Sequence, residues 1–402
     1  LPLSSATRFV IVAFGKASVL MTLAAEKCLG PRLLEGIVIA PFTQIDNWKL
    51  RSQIFHGAQN NLPDENSVAA TSKALQCIQK SDAVDVVFLF LISGGGSALF
   101  CSPDGVSLEE KLTTIRTLTS NGADICVLNA FRQKLSVVKG GKTLNYIKKG
   151  QVISLLMSDL IDDLIQFIAS GPTVLQTNSM KKISEQIVTS SKWASLLPQD
   201  ILNKFQVRLY CFASNRDALA ELKNYFTSHG YNATIVTTRL KGDARSIGRD
   251  FAELITAGRE NLPNTLEKFG GSNEEPLFGN KVIALLFGGE TTVIIRGGGC
   301  GGRCQEMALS CFTSLSSCST TLPLFLFLAA GTDGQDGPTD AAGAFFTNDD
   351  LNKDMSKKGE ALLETSNSYG FWSMYNDGAN HIKPGPTGTN VMDIQIVLLQ
   401  FR

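Results

Sequence analysis

Histidine is scarce in this sequence of 402 residues, which has only three: His56, His229 and His381. They lie too far apart in the sequence to predict a metal-binding triad, and they give little basis for a histidine-centred mechanism. Net charge is also absent, with 37 Lys and Arg against 37 Asp and Glu. A neutral chain lacks the electrostatic footprint of a general nucleic-acid-binding protein.

Long hydrophobic runs are missing as well. The longest, 86–92 and 322–330, fall well short of the ~18 apolar residues that span a bilayer, so no membrane partner is expected. Low-complexity tracts are not seen, and 44% of the residues are hydrophobic, which indicates a globular protein. The length predicts two domains, at roughly 100–200 residues for each.

The nine cysteines do not resemble a disulfide scaffold, because their number is odd and they are scattered over a long chain. Cys300 and Cys304 are four apart without a second pair or a nearby His, so a zinc site is not predicted. We expect reduced thiols in an intracellular protein. The chain begins at Leu1 and not at Met, so we expect a fragment or a processed chain. No targeting peptide is visible, and the cytoplasm is the expected compartment, with the mitochondrion as the alternative.

Short apolar runs alternate with helical patterns along most of the chain, which predicts an α/β protein with a mainly parallel sheet. Strands are predicted at 9–14, 36–40, 85–92, 151–157, 208–213, 232–237, 281–287, 291–296, 324–328 and 393–399. Helices are predicted at 16–29, 67–79, 217–229 and 306–315. The Gly- and Pro-containing stretch 259–280 is predicted to link a domain at 1–258 to a smaller one at 281–402.

Polar clusters follow several predicted strands, where ligands bind in open α/β sheets. In the first cluster, Lys16 follows Gly15 at a strand-to-helix turn, where a cation lies beside exposed backbone N–H groups. An ordinary turn with a solvated lysine is the alternative, and the P-loop pattern is absent. In the second cluster, Ser93, Gly94, Gly95, Gly96 and Ser97 follow a buried strand. Their N–H groups are suited to an oxyanion, although a tight turn explains them too.

The third cluster contains Asp159, which follows another predicted strand. A carboxylate there binds Mg²⁺ or accepts a proton from a substrate hydroxyl, or it caps a helix. Between the second and third clusters lie Asn129, Arg132 and Lys139. The last two are seven apart and share a face if one helix covers both, where they would bind a small carboxylate or form a solvated face.

The fourth cluster is the richest in glycine and acidic residues. Gly289 and Glu290 end one predicted strand, and Gly301 and Gly302 precede Arg303, whose guanidinium suits bidentate binding of phosphate or carboxylate. After the next strand come three aspartates that could form a site for a hard cation, namely Asp333, Asp336 and Asp340.

Together these motifs resemble the class II glycerate kinases, the family with a C-terminal MOFRL domain, and most of all its animal members. The motifs that carry the resemblance are FGKA at 14–17, NLPD at 61–64, SGGGSA at 93–98, the stretch from 122 to 141, IASGPTV at 168–174, GGR.QE at 301–306, GTDGQDGPTDAAGA at 331–344 and GTNVMD at 388–393. They cover almost the whole chain, in order.

The resemblance implies two domains, one Rossmann-like and one smaller α/β MOFRL domain, with the active site in the cleft between them. It implies phosphorylation of D-glycerate with ATP and Mg²⁺, and it leaves open the 2- or 3-position and a homodimer. Family members use the positions of Lys16 and Arg303 at the active site. We also expect Mg²⁺ to be held by one or more of Asp159, Asp333 and Asp336. Asp333 is the expected base that accepts the proton of the glycerate hydroxyl.

Four departures from the family pattern stand out. Cys304 replaces an Asn, Cys300 replaces a basic residue, 161–163 replace a Gly-Asp turn, and an N-terminal helical segment is missing. They keep a second hypothesis open, a non-catalytic relative that binds nucleotides or anions. A dehydrogenase is disfavoured, because no G-x-G-x-x-G with a later acidic residue follows the first strand.

Overall fold

The computed structural model describes residues 6–42, 49–58, 62–120, 125–159, 165–174, 207–270 and 282–401. The chain divides into two compact units. One comprises Leu1–Asp159 with Asp163–Phe212, and the other Leu160–Asp162 with Ala213–Arg402. Within the described ranges, no helix combines the length and the apolar character that a bilayer crossing requires.

The first unit is built on a six-stranded sheet. Its strands are β1 (Arg8–Phe14), β2 (Leu33–Pro41), β3 (Gln53–Gly57), β4 (Val86–Ile92), β5 (Gln151–Met157) and β6 (Val207–Ala213). They lie in the order β3-β2-β1-β4-β5-β6, and the pairs from β3 to β5 are parallel. This is the strand order of dinucleotide-binding α/β folds, in which the order reverses between β1 and β4. The Rossmann-like prediction is confirmed.

Five helices of the first unit are described. They are α1 (Ser18–Leu29), α2 (Glu65–Ser81), α3 (Gly96–Leu99), α4 (Leu108–Ser120) and α5 (Ile125–Lys134). The α2 helix begins after Asp64, whose carboxylate accepts the backbone N–H of Ser67 at 2.8 Å, as an N-cap residue does. Both faces of the central strands are covered, since every residue of β4 is buried, which explains its continuous apolar run.

The second unit has its own six-stranded sheet. Its strands are β7 (Asn232–Leu240), β8 (Ile283–Gly289), β9 (Leu324–Gly331), β10 (Gly343–Thr347), β11 (His381–Ile382) and β12 (Asp393–Gln400). They lie in the order β11-β10-β9-β12-β8-β7. Only β7 and β8 are parallel among these pairs, and the other four are antiparallel. The latest strand in the chain thus lies between two earlier ones.

Six helices of the second unit are described. They are α6 (Asn215–Ser228), α7 (Ala244–Thr256), α8 (Gly258–Glu267), α9 (Arg303–Ser316), α10 (Lys353–Leu363) and α11 (Ser368–Met374). The α7 and α9 helices cover one face of the sheet, where Phe251 and Phe312 join Phe287 and Phe327 in an aromatic core. The α9 helix begins at the predicted anion-binding arginine.

The two compact units divide the chain at a different place from the predicted boundary. The division falls at 212/213 and not at 259–280, because β7 pairs with β8 and so draws 213–270 into the second unit. The second unit is therefore not much smaller than the first. Part of the predicted linker is the helix α8, and 271–280 lie outside the described residues. The strand predicted at 291–296 does not form, and Thr292 makes only an isolated bridge with Asp243.

Candidate functional site

Two turns meet where the strand order of the first sheet reverses. One follows β1 and the other follows β4, and hydrogen bonds and a close approach at Gly15 join them. The N–H of Lys16 donates to the carbonyl of Gly94 at 2.8 Å, and the N–H of Ala17 donates to Ser93 Oγ at 3.0 Å. Gly15 has φ +123°, and a Cβ there would lie 2.2 Å from Ser93 Oγ. Only glycine allows this approach, and it lies at the reversal of strand order, which is where folds of this kind bind ligands.

The side chain of Lys16 runs along this edge. A Cβ built at Gly95 would lie 3.4 Å from Lys16 Cγ and 3.7 Å from Cε, so the lysine stem passes directly over the glycine turn. Gly95 has φ +77°, and a Cβ at Gly96 would lie 2.9 Å from that of Ala169. The predicted glycine turn therefore brings a half-buried lysine beside closely packed backbone, as a phosphate site requires.

Behind this turn lies a network of buried polar side chains. Ser97 Oγ lies 3.0 Å from Ser170 Oγ, and Ser170 Oγ donates to Asn129 Oδ1 at 3.1 Å. Ser170 has φ +64° and Ala169 has φ +51°, which are uncommon for residues other than glycine and often occur at functional sites. The predicted residues Ser97 and Asn129 are thus brought together through Ser170, a residue that the prediction did not include.

Lys139 belongs to the same network but not to the predicted helix face. The α5 helix ends at Lys134, so Lys139 and Arg132 do not share a helix. Lys139 Nζ is buried and donates to Ser97 O at 2.7 Å, Ser97 Oγ at 3.1 Å and Phe100 O at 3.3 Å. Burial, helped by the nearby Lys111 charge, lowers its pKa well below the ordinary value. These contacts indicate that Lys139 holds the glycine turn in place.

Arg132 and Asp159 lie nearer the surface of the first unit. Burial lowers the pKa of the Arg132 guanidinium, and no carboxylate pairs with it among the described residues. Asp159 follows β5 by two residues and is half-buried. Both stay candidates for ligand contacts.

A second cluster of charged residues lies at the start of α9 in the second unit. Arg303 donates from Nε to Asp393 Oδ2 at 2.6 Å and from Nη2 to Asp393 Oδ1 at 2.8 Å. Its Nη1 lies 3.1 Å from Glu290 Oε1. Burial lowers the pKa of Arg303, but the hydrogen bonds and the charge of Asp393, together with Glu290, outweigh this and raise it. The guanidinium is therefore fixed in its charged form.

Asp336 has a different role from the predicted metal ligand. Its carboxylate is buried and accepts the backbone N–H groups of Cys304 at 3.1 Å and Gln305 at 2.9 Å, and Gln305 Nε2 at 3.1 Å. It thus satisfies the free N–H groups at the start of α9. A Cβ at Gly302 would lie 2.3 Å from Asp336 Oδ1, so this glycine makes room for the carboxylate. Burial raises the pKa of Asp336 to about 6 despite these hydrogen bonds.

The other predicted glycines of the second unit also allow close packing. A Cβ at Gly301 would lie 2.1 Å from Ser368 Oγ, and one at Gly289, which has φ +138°, would lie 2.4 Å from the backbone of Leu240. Their contacts are with the protein itself, so they shape the loops on either side of Arg303.

Asp333, another predicted cation ligand, also has its carboxylate beside the Arg303 cluster. A Cβ at Gly331 would lie 3.3 Å from Asp333 Oδ1 and 3.6 Å from Asp393 Oδ1. Asp333 Oδ1 also accepts the N–H of Gln335 at 3.1 Å. Asp340 is turned to other partners, since it pairs with Lys383 at 3.0 Å and accepts the hydroxyl of Tyr369 at 2.8 Å.

No group of three or more His, Cys, Asp or Glu among the described residues is arranged to hold a metal ion. Mg²⁺ does not require one, because it is usually held by one or two carboxylates together with substrate phosphates and water. Asp333 and Asp159 fit that simpler arrangement, being half-buried carboxylates at strand ends. Asp336 does not fit, because its oxygens already accept backbone N–H groups.

Asp393, which binds the Arg303 guanidinium, is not among the residues predicted from the sequence. It ends the GTNVMD motif, and its position at the start of the predicted strand 393–399 was the available signal. Its pairing with Arg303 was not visible, because the two residues are 90 positions apart. The cleft predicted to bring Lys16 and Arg303 together stays a prediction, since the two residues belong to different units.

Taken separately, the two clusters offer complementary chemistry. The first supplies a lysine beside a glycine turn, which suits a phosphate group. The second supplies an oriented guanidinium, which suits an anion. Beside it lies the Asp333 carboxylate, which suits a proton or a cation.

Comparisons with known proteins cover nearly the whole chain. The model of a domain of unknown function, DUF4147, matches residues 1–206, and that of the MOFRL family matches residues 283–393. An uncharacterised protein of Caenorhabditis elegans is 47% identical over 99% of this chain and 90% of its own length.

Two further relatives have names that state an activity. One, named D-glycerate 2-kinase, from Thermotoga maritima, is 34% identical over 99% of this chain and 92% of its own length. The crystal structure of a glycerate kinase from Thermotoga maritima superposes with a TM-score of 0.77 and 31% identity, covering 98% of this chain and 92% of that one.

Proposed function

The chain belongs to the glycerate kinase family with a MOFRL domain, and on this basis we propose that it transfers the γ-phosphoryl group of ATP to the 2-hydroxyl of D-glycerate. It is an enzyme of the kinase class, as its relatives are. The choice of the 2-hydroxyl is supported by the name of the Thermotoga maritima relative.

The observation that carries this proposal is the position of Lys16. Its stem lies against Gly95 where the strand order reverses, so it brings a positive charge to the glycine turn where phosphate oxygens would bind. Phosphoryl transfer needs little covalent chemistry from a protein, and catalysis depends on positioning the phosphates and offsetting their charge. Ser93, Gly94, Gly95 and Ser97 would bind the phosphates, and Arg303 would stabilise the charge on the transferred group.

Asp333 is proposed to accept the proton of the glycerate hydroxyl, because its carboxylate lies beside the Arg303 cluster. Mg²⁺ would be held by Asp159 or Asp333 and would offset the negative charge of the phosphates. Asn129, Arg132 and Glu290 would contact substrate at the edges of the two clusters. Asp336 and Lys139 are proposed to act only by holding α9 and the glycine turn.

The proposed partners are small molecules, ATP and D-glycerate, with neither nucleic acid nor membrane. We keep the cytoplasm as the proposed compartment. Light scattering at working concentration tests whether the chain forms a homodimer.

The test is an ADP-release assay with ATP and Mg²⁺ on a series of small hydroxy acids, with the product identified by phosphorus NMR. We expect release that depends on D-glycerate and a product phosphorylated at O2. A product phosphorylated at O3 would change the proposed position of the phosphate and leave the proposed kinase reaction unchanged. ATP binding without ADP release on any hydroxy acid would instead favour a non-catalytic relative, as the Cys300 and Cys304 departures suggest.

A further inference from the structure

One edge of the Arg303 guanidinium is hydrogen-bonded to a single buried carboxylate, that of Asp393. Asp393 is 0% exposed, and its two oxygens accept the Nε and Nη2 hydrogens of Arg303 at 2.6 and 2.8 Å. Two parallel hydrogen bonds of this kind fix the plane of a guanidinium as well as its position. A lysine in place of Arg303 could not be oriented in this way, because its ammonium is a point charge on a flexible stem.

Asp393 is itself held firmly. It lies at the start of β12 and is paired with Gly331 on one neighbouring strand and Gly289 on the other. Both partners are glycines, so no neighbouring side chain competes for the space of the carboxylate. Asn215 Nδ2 donates to the carbonyls of Asp393 and Val391, each at 2.9 Å. The carboxylate that orients Arg303 therefore belongs to a strand inside the sheet and not to a loop.

Nη1 of the guanidinium lies beside a second carboxylate, that of Glu290, which is exposed where Asp393 is buried. Glu290 Oε1 lies 3.1 Å from Nη1, and the Glu290 side chain is 42% exposed, whereas the Arg303 side chain is 30% exposed. The hydrogen bonds to Asp393 use two of the five N–H donors of an arginine, and Glu290 forms an ion pair with Nη1. The remaining donors lie on Nη1 and Nη2, away from Nε. An anion can use them, and it can also displace an exposed carboxylate at little cost, since exposed ion pairs are weak.

We propose that Asp393 is a positioning residue that orients Arg303 toward the transferred phosphoryl group, while Glu290 occupies the outer edge until an anion replaces it. This rests on the proposed function, in which Arg303 acts on that group. A guanidinium placed in advance stabilises developing charge without reorganising during the reaction. Asp393 acts through Arg303 alone and touches no reacting atom.

The main experiment is a double-mutant cycle on kcat and KM with Asp393→Asn, Arg303→Met and both together. We expect Asp393→Asn to lower kcat by about 10- to 100-fold, as a misplacement of about 1 Å does, with a smaller change in KM. In the Arg303→Met background the same substitution should change kcat less than about twofold, because residues that act as a unit are not additive. Independent, additive losses would overturn the proposal.

The matched control is Glu306→Gln. Glu306 and Arg245 form another buried carboxylate–arginine pair of the second unit, with Oε1 3.4 Å from Nε, and Glu306 lies on the same helix as Arg303 but pairs with a different arginine. We expect this variant to lose stability as Asp393→Asn does while keeping its kcat within about threefold of the wild type. A loss of kcat as large as that of Asp393→Asn would show that any broken buried pair has this effect, and would overturn the proposal.

If Asp393→Asn does not fold, Arg303→Lys is measured in its place. This variant should fold, because residue 303 is partly exposed and lysine keeps the positive charge. It should lose as much kcat as Asp393→Asn is expected to lose. Retention of more than half of the wild-type kcat would mean that orientation is irrelevant, and would overturn the proposal.

A spectroscopic readout separates failure of this inference from failure of the proposed function. In ¹⁵N-arginine-labelled protein, the Nε–H signal of Arg303, identified by its loss in Arg303→Met, should be protected from exchange and become exchange-broadened in Asp393→Asn. If the wild type phosphorylates no glycerate, the proposed function fails, and the cycle is run on ATP affinity. A tenfold weakening by Asp393→Asn that disappears in Arg303→Met would still support positioning, and no weakening would overturn it.

Discussion

The hydroxyl of Ser93 accepts the backbone N–H of Ala17 at 3.0 Å, and it does so across 76 positions of sequence. This bond ties the turn after β1 to the turn after β4, and Gly15 lies between them without space for a side chain. The placement of Lys16 therefore depends on a contact that neither turn specifies alone.

Gly15→Ala should break this junction. The backbone at φ +123° and a Cβ 2.2 Å from Ser93 Oγ are both unfavourable, so we expect a loss of about 3 kcal/mol or more in the free energy of unfolding. Gly30→Ala is the control, with φ +55° and nothing within 4 Å of its Cβ, so it has the backbone strain without the steric clash and should lose less than Gly15→Ala, about 1–3 kcal/mol. Urea unfolding measures both, and equal losses would contradict the described packing.

Lys16→Met tests the proposed phosphate contact. We expect kcat/KM to fall at least ~10²-fold, or about 2.7 kcal/mol in transition-state stabilisation, with the fold retained. Lys27→Met is the control, because Lys27 is an exposed lysine of α1 in the same unit. Steady-state kinetics and circular dichroism provide the readouts. Near-normal turnover in a folded Lys16→Met protein would mean that Lys16 makes no phosphate contact that the reaction needs.

Cys304→Asn restores the residue that family members usually have. The buried Cys304 thiol interacts with Asp393, and an Asn amide there would offer that carboxylate a stronger N–H donor. We expect kcat/KM to rise by up to about tenfold, which corresponds to one hydrogen bond to a charged group. Cys304→Ala, which removes the thiol without adding a donor, should bring no rise. An unchanged or poorer Cys304→Asn enzyme would show that the surroundings are adapted to the thiol.

Asp336→Asn separates the capping role from a metal role. An Asn side chain cannot accept all three N–H groups that Asp336 accepts, so we expect a loss of about 1–2 kcal/mol in unfolding free energy. The Mg²⁺ concentration for half-maximal activity should stay the same. The parallel variant Asp333→Asn should raise that concentration or abolish activity. A raised Mg²⁺ requirement in Asp336→Asn would return this residue to the metal site.

His381 should make the second unit sensitive to acid. Its ring stacks on Tyr369 with centroids 4.8 Å apart, neither nitrogen has a partner among the described residues, and burial lowers its pKa from 6.5 to about 4. Between these values the unfolded chain binds the proton more readily, so stability falls as the pH drops from about 6.5 to 4. His381→Phe keeps the stacking and should flatten that part of the pH profile.

Urea unfolding at several pH values measures the effect. His229→Gln, which replaces an exposed histidine, should leave the profile as it is in the wild type. An unchanged acid response in His381→Phe would mean that other groups cause it.

The sequence predicted what depends on local pattern. Continuous apolar runs located most of the strands in both sheets, and the glycine motifs located Lys16 and Arg303 at the ends or starts of elements. The same logic failed at 291–296, where a β-branched run lacks a neighbouring strand and stays unpaired apart from one bridge. Composition places the boundary at 259–280, whereas the compact units divide at 212/213, because the pairing of β7 with β8 has no signature in the local sequence.

Site roles were harder to predict than site positions. Asp336 and Asp333 look alike in the sequence, yet one caps α9 and the other lies beside Asp393. Lys139 and Arg132 look like one helix face, but α5 ends between them. Each difference comes from contacts between distant segments, which a single sequence does not reveal.

The placement of β12 between β8 and β9 has a consequence for biosynthesis. While the ribosome is still adding residues before 393, β8 and β9 are already made but lack the strand that joins them. Each then presents an unpaired apolar edge, which invites aggregation. The second sheet cannot close until residue 400 has emerged, and only then does Asp393 reach Arg303. We therefore expect nascent chains stalled before this point to bind holdase chaperones, and the second unit to gain protease resistance only once residues 393–400 have left the ribosome.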